Sequence, residues 1–194
     1  MLITKEIEID MGHRVPNHKS KCRNLHGHRY KVEVGVDDKV ISTKGSSDEG
    51  MVIDFGDLKE IMMEEIDAKH DHGFMMYEYD EFYGLFKQLY NMNDQKIIFT
   101  PFVPTAENIA KYWFQLIEPR LAERGIALRH VKIWETPTST AIFEKSVCPQ
   151  CVCLEKMPQV VMCAPVEIGG PSARGTTSKV RPKADLSNPC RLTH

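Results

Sequence analysis

Two segments in which apolar and polar residues alternate most constrain how this chain can fold. Residues 2–11 and 28–37 each place an apolar side chain at nearly every second position. Side chains two apart on a strand point the same way, so the alternation predicts two strands that each bury one face. The apolar positions are Ile3, Ile7, Ile9 and Met11 in the first segment, and Tyr30, Val32, Val34 and Val36 in the second.

Two later segments have helical spacing. Asp57 is placed to cap a helix with the apolar face Leu58, Ile61, Met62 and Ile66. Thr105 is placed to cap a second helix that ends near Gly125, and Pro119 is expected to kink it. The apolar stripe of this second helix is Ile109, Trp113, Leu116, Ile117 and Leu121.

Two further alternating segments, residues 129–135 and 139–145, predict a second pair of strands joined by the turn "TPTS". The element order is then ββααββ, which predicts an α+β domain with a four-stranded antiparallel sheet and two helices. Residues 73–103 are too long for a bare connection, so they are interpreted as an insertion that contains a short helix near residues 80–90.

The composition changes beyond about residue 146. Residues 146–194 are rich in Pro, Gly, Ser, Thr and Lys without periodicity, which predicts a flexible tail after a domain spanning residues 1–145. Five of the six cysteines lie in this tail, and Cys148 and Cys151 have CxxC spacing. No histidine or second CxxC follows at useful spacing, so we expect no second zinc site there.

Charge and hydropathy exclude some classes of partner. The chain has 25 basic and 27 acidic residues and a formal net charge of −2, which does not favour binding to nucleic acid or to an anionic membrane. No apolar run approaches the roughly 18 residues of a membrane span, and the start lacks the layout of a signal peptide. These features favour a cytoplasmic protein with a small-molecule partner.

The stretch "CRNLHGHRY", residues 22–30, suggests a metal site. On a strand His26 and His28 present both imidazoles to one face, about 7 Å apart along the chain. His13 ends the first strand, and in an antiparallel hairpin it would lie beside the start of the second. Three histidines leave one position of a tetrahedral metal open for a substrate.

Two simpler interpretations compete with an open site. Cys22 could be a fourth ligand of a purely structural zinc, or the histidines could be surface residues without metal.

Other residues favour a catalytic role. Asp71 and His72 are adjacent, so the carboxylate can orient the imidazole for proton transfer, although such pairs are usually surface residues. Glu135 ends an apolar strand, where burial is costly unless the carboxylate binds a cationic or amide-rich partner. Glu107 could do the same, but a carboxylate at a helix start is more simply explained by the helix dipole.

Taken in order, these motifs resemble the superfamily of 6-pyruvoyltetrahydropterin and 6-carboxytetrahydropterin synthases. The matching set is His13, "CRNLHGH", "GMVIDFGDLK", "DHG", "PTAEN" and "ET", and it spans nearly all of residues 3–145.

The resemblance implies a role for each site residue. His13, His26 and His28 match the family's zinc ligands, and Cys22 matches a catalytic thiol that is not a ligand. Asp71 and His72 match the pair that assists the thiol, and Glu135 matches the carboxylate that anchors the pterin. Thr105 and Glu107 match residues of the pterin pocket.

The resemblance also implies an assembly. Members of the family have the tunnelling fold, in which subunits join their sheets into a barrel and the active sites lie between subunits. Open sheet edges also favour pairing between copies. We therefore expect a homo-oligomer, most simply a hexamer made of two trimers.

The CxxxHGH spacing resembles the bacterial 6-carboxytetrahydropterin synthases of the queuosine pathway more than the animal pyruvoyl enzymes. That branch converts 7,8-dihydroneopterin triphosphate to 6-carboxytetrahydropterin, acetaldehyde and triphosphate. The alternatives are a pyruvoyl synthase, a noncatalytic pterin-binding protein and a structural zinc protein.

Several cations lie near these motifs in the sequence and could attract the triphosphate, but a solvated charged surface explains them more simply. They are Lys19, Lys21, Arg23 and Arg29.

Overall fold

The computed structural model describes residues 1–93 and 95–145. The predictions of a flexible tail at residues 146–194, and of no metal site at its cysteines, lie outside the described residues.

The first two strands form the predicted antiparallel hairpin. Strand β1 is Leu2–His13 and strand β2 is His26–Asp37, and their register pairs His13 with His26. Gly12 pairs with Gly27 at the same end of the hairpin. A Cβ atom on Gly27 would lie 2.9 Å from the carbonyl oxygen of Met11, so this position requires glycine for strands β1 and β2 to approach each other.

The sheet has six strands in the order β4-β3-β1-β2-β5-β6. Strands β5 (Leu128–Thr136) and β6 (Ser139–Glu144) are the predicted second pair and continue the antiparallel sheet from β2. The prediction of a four-stranded, wholly antiparallel sheet is wrong, because the inserted segment adds β3 (Phe74–Tyr77) and β4 (Ile97–Thr100) parallel to β1. The α+β class is confirmed.

The first predicted helix begins earlier than expected. Helix α1 is Phe55–Met62, and its N-cap is Asp54, whose side chain accepts from the Gly56 N–H, so the prediction of an Asp57 cap is wrong. The chain continues through a π-helical turn, Met63–Asp67, into the short helix α2, Ala68–His70.

The other helices lie where the sequence predicted them. Helix α3, Tyr83–Asn93, lies in the inserted segment close to the expected position. Helix α4, Ala106–Ala122, is capped by Thr105 and contains Pro119 near its end, and Gly125 follows with a left-handed φ of 71°.

The core lies between one face of the sheet and the helices. Its centre includes Tyr30 and Val32 of β2, Trp113 of α4 and Ile133 of β5, all fully buried. The opposite face of β1 and β2 is polar and carries ion pairs such as Glu6 with Lys31. None of the helices in the described ranges combines the length and the apolar character that crossing a membrane requires.

Candidate active site

Three histidines converge at the end of the β1–β2 hairpin. His13 lies opposite His26, and His28 lies opposite Met11, so all three side chains point to the same face. Each offers one ring nitrogen, and these three atoms lie within 4.8 Å of one another. The three rings are tilted against each other, with centroids 4.5 to 5.2 Å apart. This arrangement has the geometry of a three-histidine metal site.

Backbone carbonyls orient two of these rings. The Nδ1–H of His13 donates to the carbonyl oxygen of Pro104 at 2.7 Å, and the Nδ1–H of His26 donates to that of Asn24 at 2.8 Å. A carbonyl oxygen can only accept, so Nδ1 carries the proton in each neutral ring and Nε2 keeps its lone pair. Histidine ligands of metals are typically oriented by such a hydrogen bond on the other ring nitrogen.

The environment keeps two of the histidines neutral. His13 is 1% exposed, and its burial, together with the nearby rings of His26 and His28, lowers its pKa to about 4 despite the hydrogen bond to Pro104. Burial also lowers the pKa of His28, against the opposing effect of Glu135. The Nε2 atoms of His13 and His28 are buried without a hydrogen-bond partner among the described residues. Neutral imidazoles with unused Nε2 lone pairs are compatible with a zinc ion.

Cys22 lies beside this cluster in the chain but is not a member of it. It belongs to a 3-10 turn, Lys21–Arg23, and is partly buried with a free thiol. Its carbonyl oxygen accepts from the N–H of Val15 at 2.8 Å, which fixes the turn against the residues that follow β1. Only the three histidines form the metal-ligating group found in the described part of the chain.

Glu135 approaches the histidine cluster from β5. Its Oε1 lies 3.6 Å from Nε2 of His13 and 3.9 Å from Nε2 of His28. The ladder between β5 and β6 is irregular between Trp134 and Thr136, where Glu135 lies. Glu135, His28 and Trp134 line a cavity of about 620 Å³, a volume suited to a small heterocyclic ligand.

Asp71 and His72 form a dyad on a tight turn after α2. Nδ1 of His72 lies 2.6 Å from Oδ2 of Asp71, and the backbone N–H of Asp10 donates to the other carboxylate oxygen at 2.9 Å. Partial burial acts to raise the pKa of Asp71, but these two hydrogen bonds outweigh it and keep the pKa below its usual value. His72 has a left-handed φ of 56° and its side chain is 77% exposed.

The dyad lies along the edge of β1, where it hydrogen-bonds to the backbone of Asp10. The dyad contacts Asp10, whose side chain pairs with Arg29 on the face opposite His13. Among the hydrogen bonds and ion pairs of the described residues, none joins the dyad to Cys22. Within one chain, the described hydrogen bonds and ion pairs therefore do not connect the Cys22 thiol with the dyad.

The "PTAEN" motif contributes by its backbone. Thr105 caps α4 by accepting from the N–H of Asn108, and Glu107 is exposed in the first turn of the helix. Pro104 supplies the carbonyl that holds His13. This role, and that of Asn24, could not be predicted from the sequence, because every residue has a carbonyl group.

The comparisons with known proteins agree with one another. A family model described as 6-pyruvoyl tetrahydropterin synthase matches residues 2–146. A 6-carboxy-5,6,7,8-tetrahydropterin synthase from Rickettsia felis is 38% identical over 135 residues, which is 69% of this chain and 93% of that protein. The enzyme of the same name from Haemophilus influenzae is 34% identical over 143 residues, which is 74% of this chain and 98% of that protein.

Solved structures share the fold. An uncharacterized protein from Wolinella succinogenes has a TM-score of 0.64 at 24% identity, over 75% of this chain and 98% of that chain. The 6-pyruvoyl tetrahydropterin synthase of Caenorhabditis elegans has a TM-score of 0.52 at 25% identity, over 75% of this chain and 96% of that chain.

Proposed function

Since this chain belongs to the 6-pyruvoyl tetrahydropterin synthase family, we propose that it is a zinc-dependent 6-carboxy-5,6,7,8-tetrahydropterin synthase, a carbon-carbon lyase. The substrate would be 7,8-dihydroneopterin triphosphate, which with one water gives 6-carboxytetrahydropterin, acetaldehyde and triphosphate. The observation that carries this choice over the pyruvoyl reaction is the 34–38% identity to relatives named for the carboxy product, over almost their whole length.

His13, His26 and His28 are the residues proposed to hold the zinc. The lowered pKa values of His13 and His28 and the carbonyl-oriented rings of His13 and His26 support this assignment. When bound, the zinc supplies Lewis acidity, which polarises the hydroxyl groups of the substrate side chain. Cys22 stands outside the histidine group, which supports a proton-transfer role for its Sγ atom over a role as ligand.

Glu135 is the proposed anchor for the pterin ring. Its carboxylate can accept hydrogen bonds from the amino group and ring N–H of a pterin, and it lines a cavity of suitable size beside His28. Thr105 and Glu107 are proposed to act indirectly, since they fix the start of α4 next to Pro104.

The Asp71–His72 dyad is proposed to complete the site of a neighbouring subunit. Asp71 holds the Nδ1 of His72, so Nε2 is free to exchange a proton with a substrate. The lack of a hydrogen bond or ion pair between the dyad and Cys22 among the described residues supports an active site shared between subunits of a homo-oligomer, with the hexamer of two trimers as our proposal. By the same family resemblance, we place the enzyme in the cytoplasm and its product in queuosine biosynthesis.

Product analysis tests this function. The zinc-loaded protein is incubated with 7,8-dihydroneopterin triphosphate, and all products are identified by mass spectrometry. We expect acetaldehyde and 6-carboxytetrahydropterin in equal amounts. Release of triphosphate without acetaldehyde would instead identify a 6-pyruvoyl tetrahydropterin synthase, and no consumption of the pterin would reject both enzymes.

A further inference from the structure

A second cavity, of about 730 Å³, is lined by residues of the loop that joins the two strands carrying the histidine cluster. One wall is the loop between β1 and β2, and the other comes from Glu81 and Phe82 of the inserted segment. The side chains that matter here are Arg14, His18, Lys19, Arg23, Glu81 and Phe82. Neither the proposed zinc ligands nor the pterin anchor line this cavity.

Arg14 is the buried member of the lining, at 2% exposure. Its Nη2 donates to Oε1 of Glu81 at 2.9 Å, its Nε lies 3.2 Å from Oδ2 of Asp80 without hydrogen-bond alignment, and its guanidinium carbon lies 4.3 Å from the Phe82 ring centre. Nη1 of Arg14 is buried and has no hydrogen-bond partner among the described residues. A buried guanidinium with an unused N–H group is costly unless a ligand or water accepts from it.

The other cations of the cavity, Lys19 and Arg23, are not paired with a carboxylate of the described residues. Lys19 and Arg23 are exposed, and neither takes part in an ion pair within residues 1–93 and 95–145. Glu81 is the one carboxylate that lines the cavity, and its side chain is 71% exposed, whereas the Asp80 carboxylate is fully buried behind Arg14. Asp80 and Glu81 both lie against Arg14, so the two unpaired cations, Lys19 and Arg23, give the cavity its excess of positive charge, which favours an anion.

The cavity adjoins the proposed reaction site through the chain itself. Arg14 follows the zinc ligand His13 directly, and Arg23 follows Cys22. Asn24, which also lines the cavity, holds His26 through its carbonyl oxygen. These links in sequence are the reason to assign an anion in the cavity to a ligand that also contacts the histidine cluster.

We propose that this cavity is a polyphosphate subsite and that Arg14, Lys19 and Arg23 bind the triphosphate of the substrate. Identifying the anion as the substrate's own triphosphate rests on the proposed function. Arginine suits this role because its fork of N–H groups matches phosphate oxygens. Glu81, from the inserted segment, holds one edge of the Arg14 guanidinium and opposes the anion by its charge, so the insertion tunes the affinity of the subsite.

Binding of inorganic tripolyphosphate to the zinc-loaded full chain tests the subsite without any pterin chemistry. The double variant Lys19→Ala/Arg23→Ala removes two exposed cations of the cavity, and Lys39→Ala/Lys44→Ala removes two exposed lysines elsewhere as a control of equal charge. We expect the first variant to raise the Kd about tenfold or more and the control to leave it nearly unchanged. Glu81→Gln should lower the Kd, because it removes a like charge while keeping the side-chain shape.

The outcomes separate this inference from the proposed function. Absence of tripolyphosphate binding to the native chain, or the same Kd for both double variants, would overturn the subsite. Binding that follows the expected pattern in a chain that does not convert 7,8-dihydroneopterin triphosphate would reject the proposed function and leave the anion subsite standing. Conversion with the same KM in both double variants would support the function and reject the subsite.

Discussion

His13 and Pro104 are joined by a buried hydrogen bond of 2.7 Å across 91 positions of sequence. His13 ends β1, and Pro104 directly precedes the residue that caps α4. The carbonyl of Pro104 accepts a hydrogen bond from Nδ1–H of His13. The unprotonated Nε2 of His13 then points to the histidine cluster with its lone pair available to a metal. The start of α4 thereby orients a proposed zinc ligand without contributing one itself.

The first prediction concerns the zinc ligands. Alanine at His13, His26 or His28 should remove the metal, because two protein donors remain where the site needs three. Cys22→Ala should keep one zinc per subunit, since the thiol stands outside the histidine group. The measurement is zinc content by elemental analysis after dialysis. His72→Ala serves as a control that should keep the metal, and loss of zinc in Cys22→Ala would make Cys22 a ligand of a closed structural site.

The second prediction separates catalysis from binding. Cys22→Ala should keep zinc and pterin affinity but lose roughly 10²-fold to 10⁴-fold in turnover, the usual effect of removing a positioned proton-transfer group. Glu135→Gln keeps the shape of the side chain and removes its charge, so it should weaken pterin binding by roughly 2 kcal/mol. Turnover and pterin affinity are measured for both variants.

Two results would contradict these roles. An active Cys22→Ala enzyme would exclude the catalytic thiol. Zinc loss in Glu135→Gln would show that the carboxylate, 3.6 Å from Nε2 of His13, acts on the metal and not on the pterin.

The third prediction follows from the proposal that Cys22 and the dyad of one active site come from different subunits. Cys22→Ala and His72→Ala should each be inactive alone, but oligomers that contain both kinds of subunit should regain activity. In such mixed oligomers, some sites combine an intact Cys22 from one subunit with an intact Asp71–His72 dyad from the other. Co-expression with two different affinity tags isolates the mixed oligomers, and their turnover is compared with that of each parent. Mixed oligomers as inactive as both parents would place thiol and dyad in the same chain.

The hairpin and the histidine cluster could be predicted from the sequence because both depend on alternation. With an apolar residue at every second position, one register of β1 and β2 buries the right face, and that register sets His13 beside His26. The Thr105 cap could also be predicted, since a polar residue between a proline and an apolar stripe is a strong signal for the start of a helix.

The inserted strands could not be predicted in the same way. The β3 strand has four residues, Phe74–Tyr77, and β4 has four, Ile97–Thr100, both apolar throughout most of their length. Such short runs do not distinguish a strand from a helix, and parallel pairing depends on contacts distant in sequence. Asp54 and Asp57 are equally good capping residues by type, so only the path of the chain decides between them.

The sequence also could not show where on the hairpin the dyad would lie. Asp71 is positioned by the backbone N–H of Asp10, and His72 by the backbone carbonyl of the same residue. These groups are common to all residues and leave no mark in the sequence.

The last prediction concerns the pH dependence of stability and rests on His70, which lies outside the proposed zinc site. His70 is the last residue of α2 and is buried against α4, where its ring contacts Tyr112 and Trp113 and its Nδ1–H donates to the carbonyl of Ile66. Burial lowers its pKa to about 4, although the Ile66 carbonyl opposes this shift. An unfolded histidine has a pKa near 6.5, so between these values the unfolded chain binds the proton that the folded chain excludes.

His70 should therefore make its full contribution to the free energy of unfolding above about pH 6.5. This contribution should be lost as the pH is lowered towards 4. His70→Gln keeps an N–H donor and does not titrate, so its stability should depend less on pH. Urea unfolding at pH 7 and pH 4.5 measures the effect, and the loss between these two values should be smaller in the variant by roughly 2 kcal/mol. His13 is common to both proteins, so its own titration cancels in the comparison. An equal loss in both proteins would mean that His70 takes up its proton as readily in the folded chain as in the unfolded one.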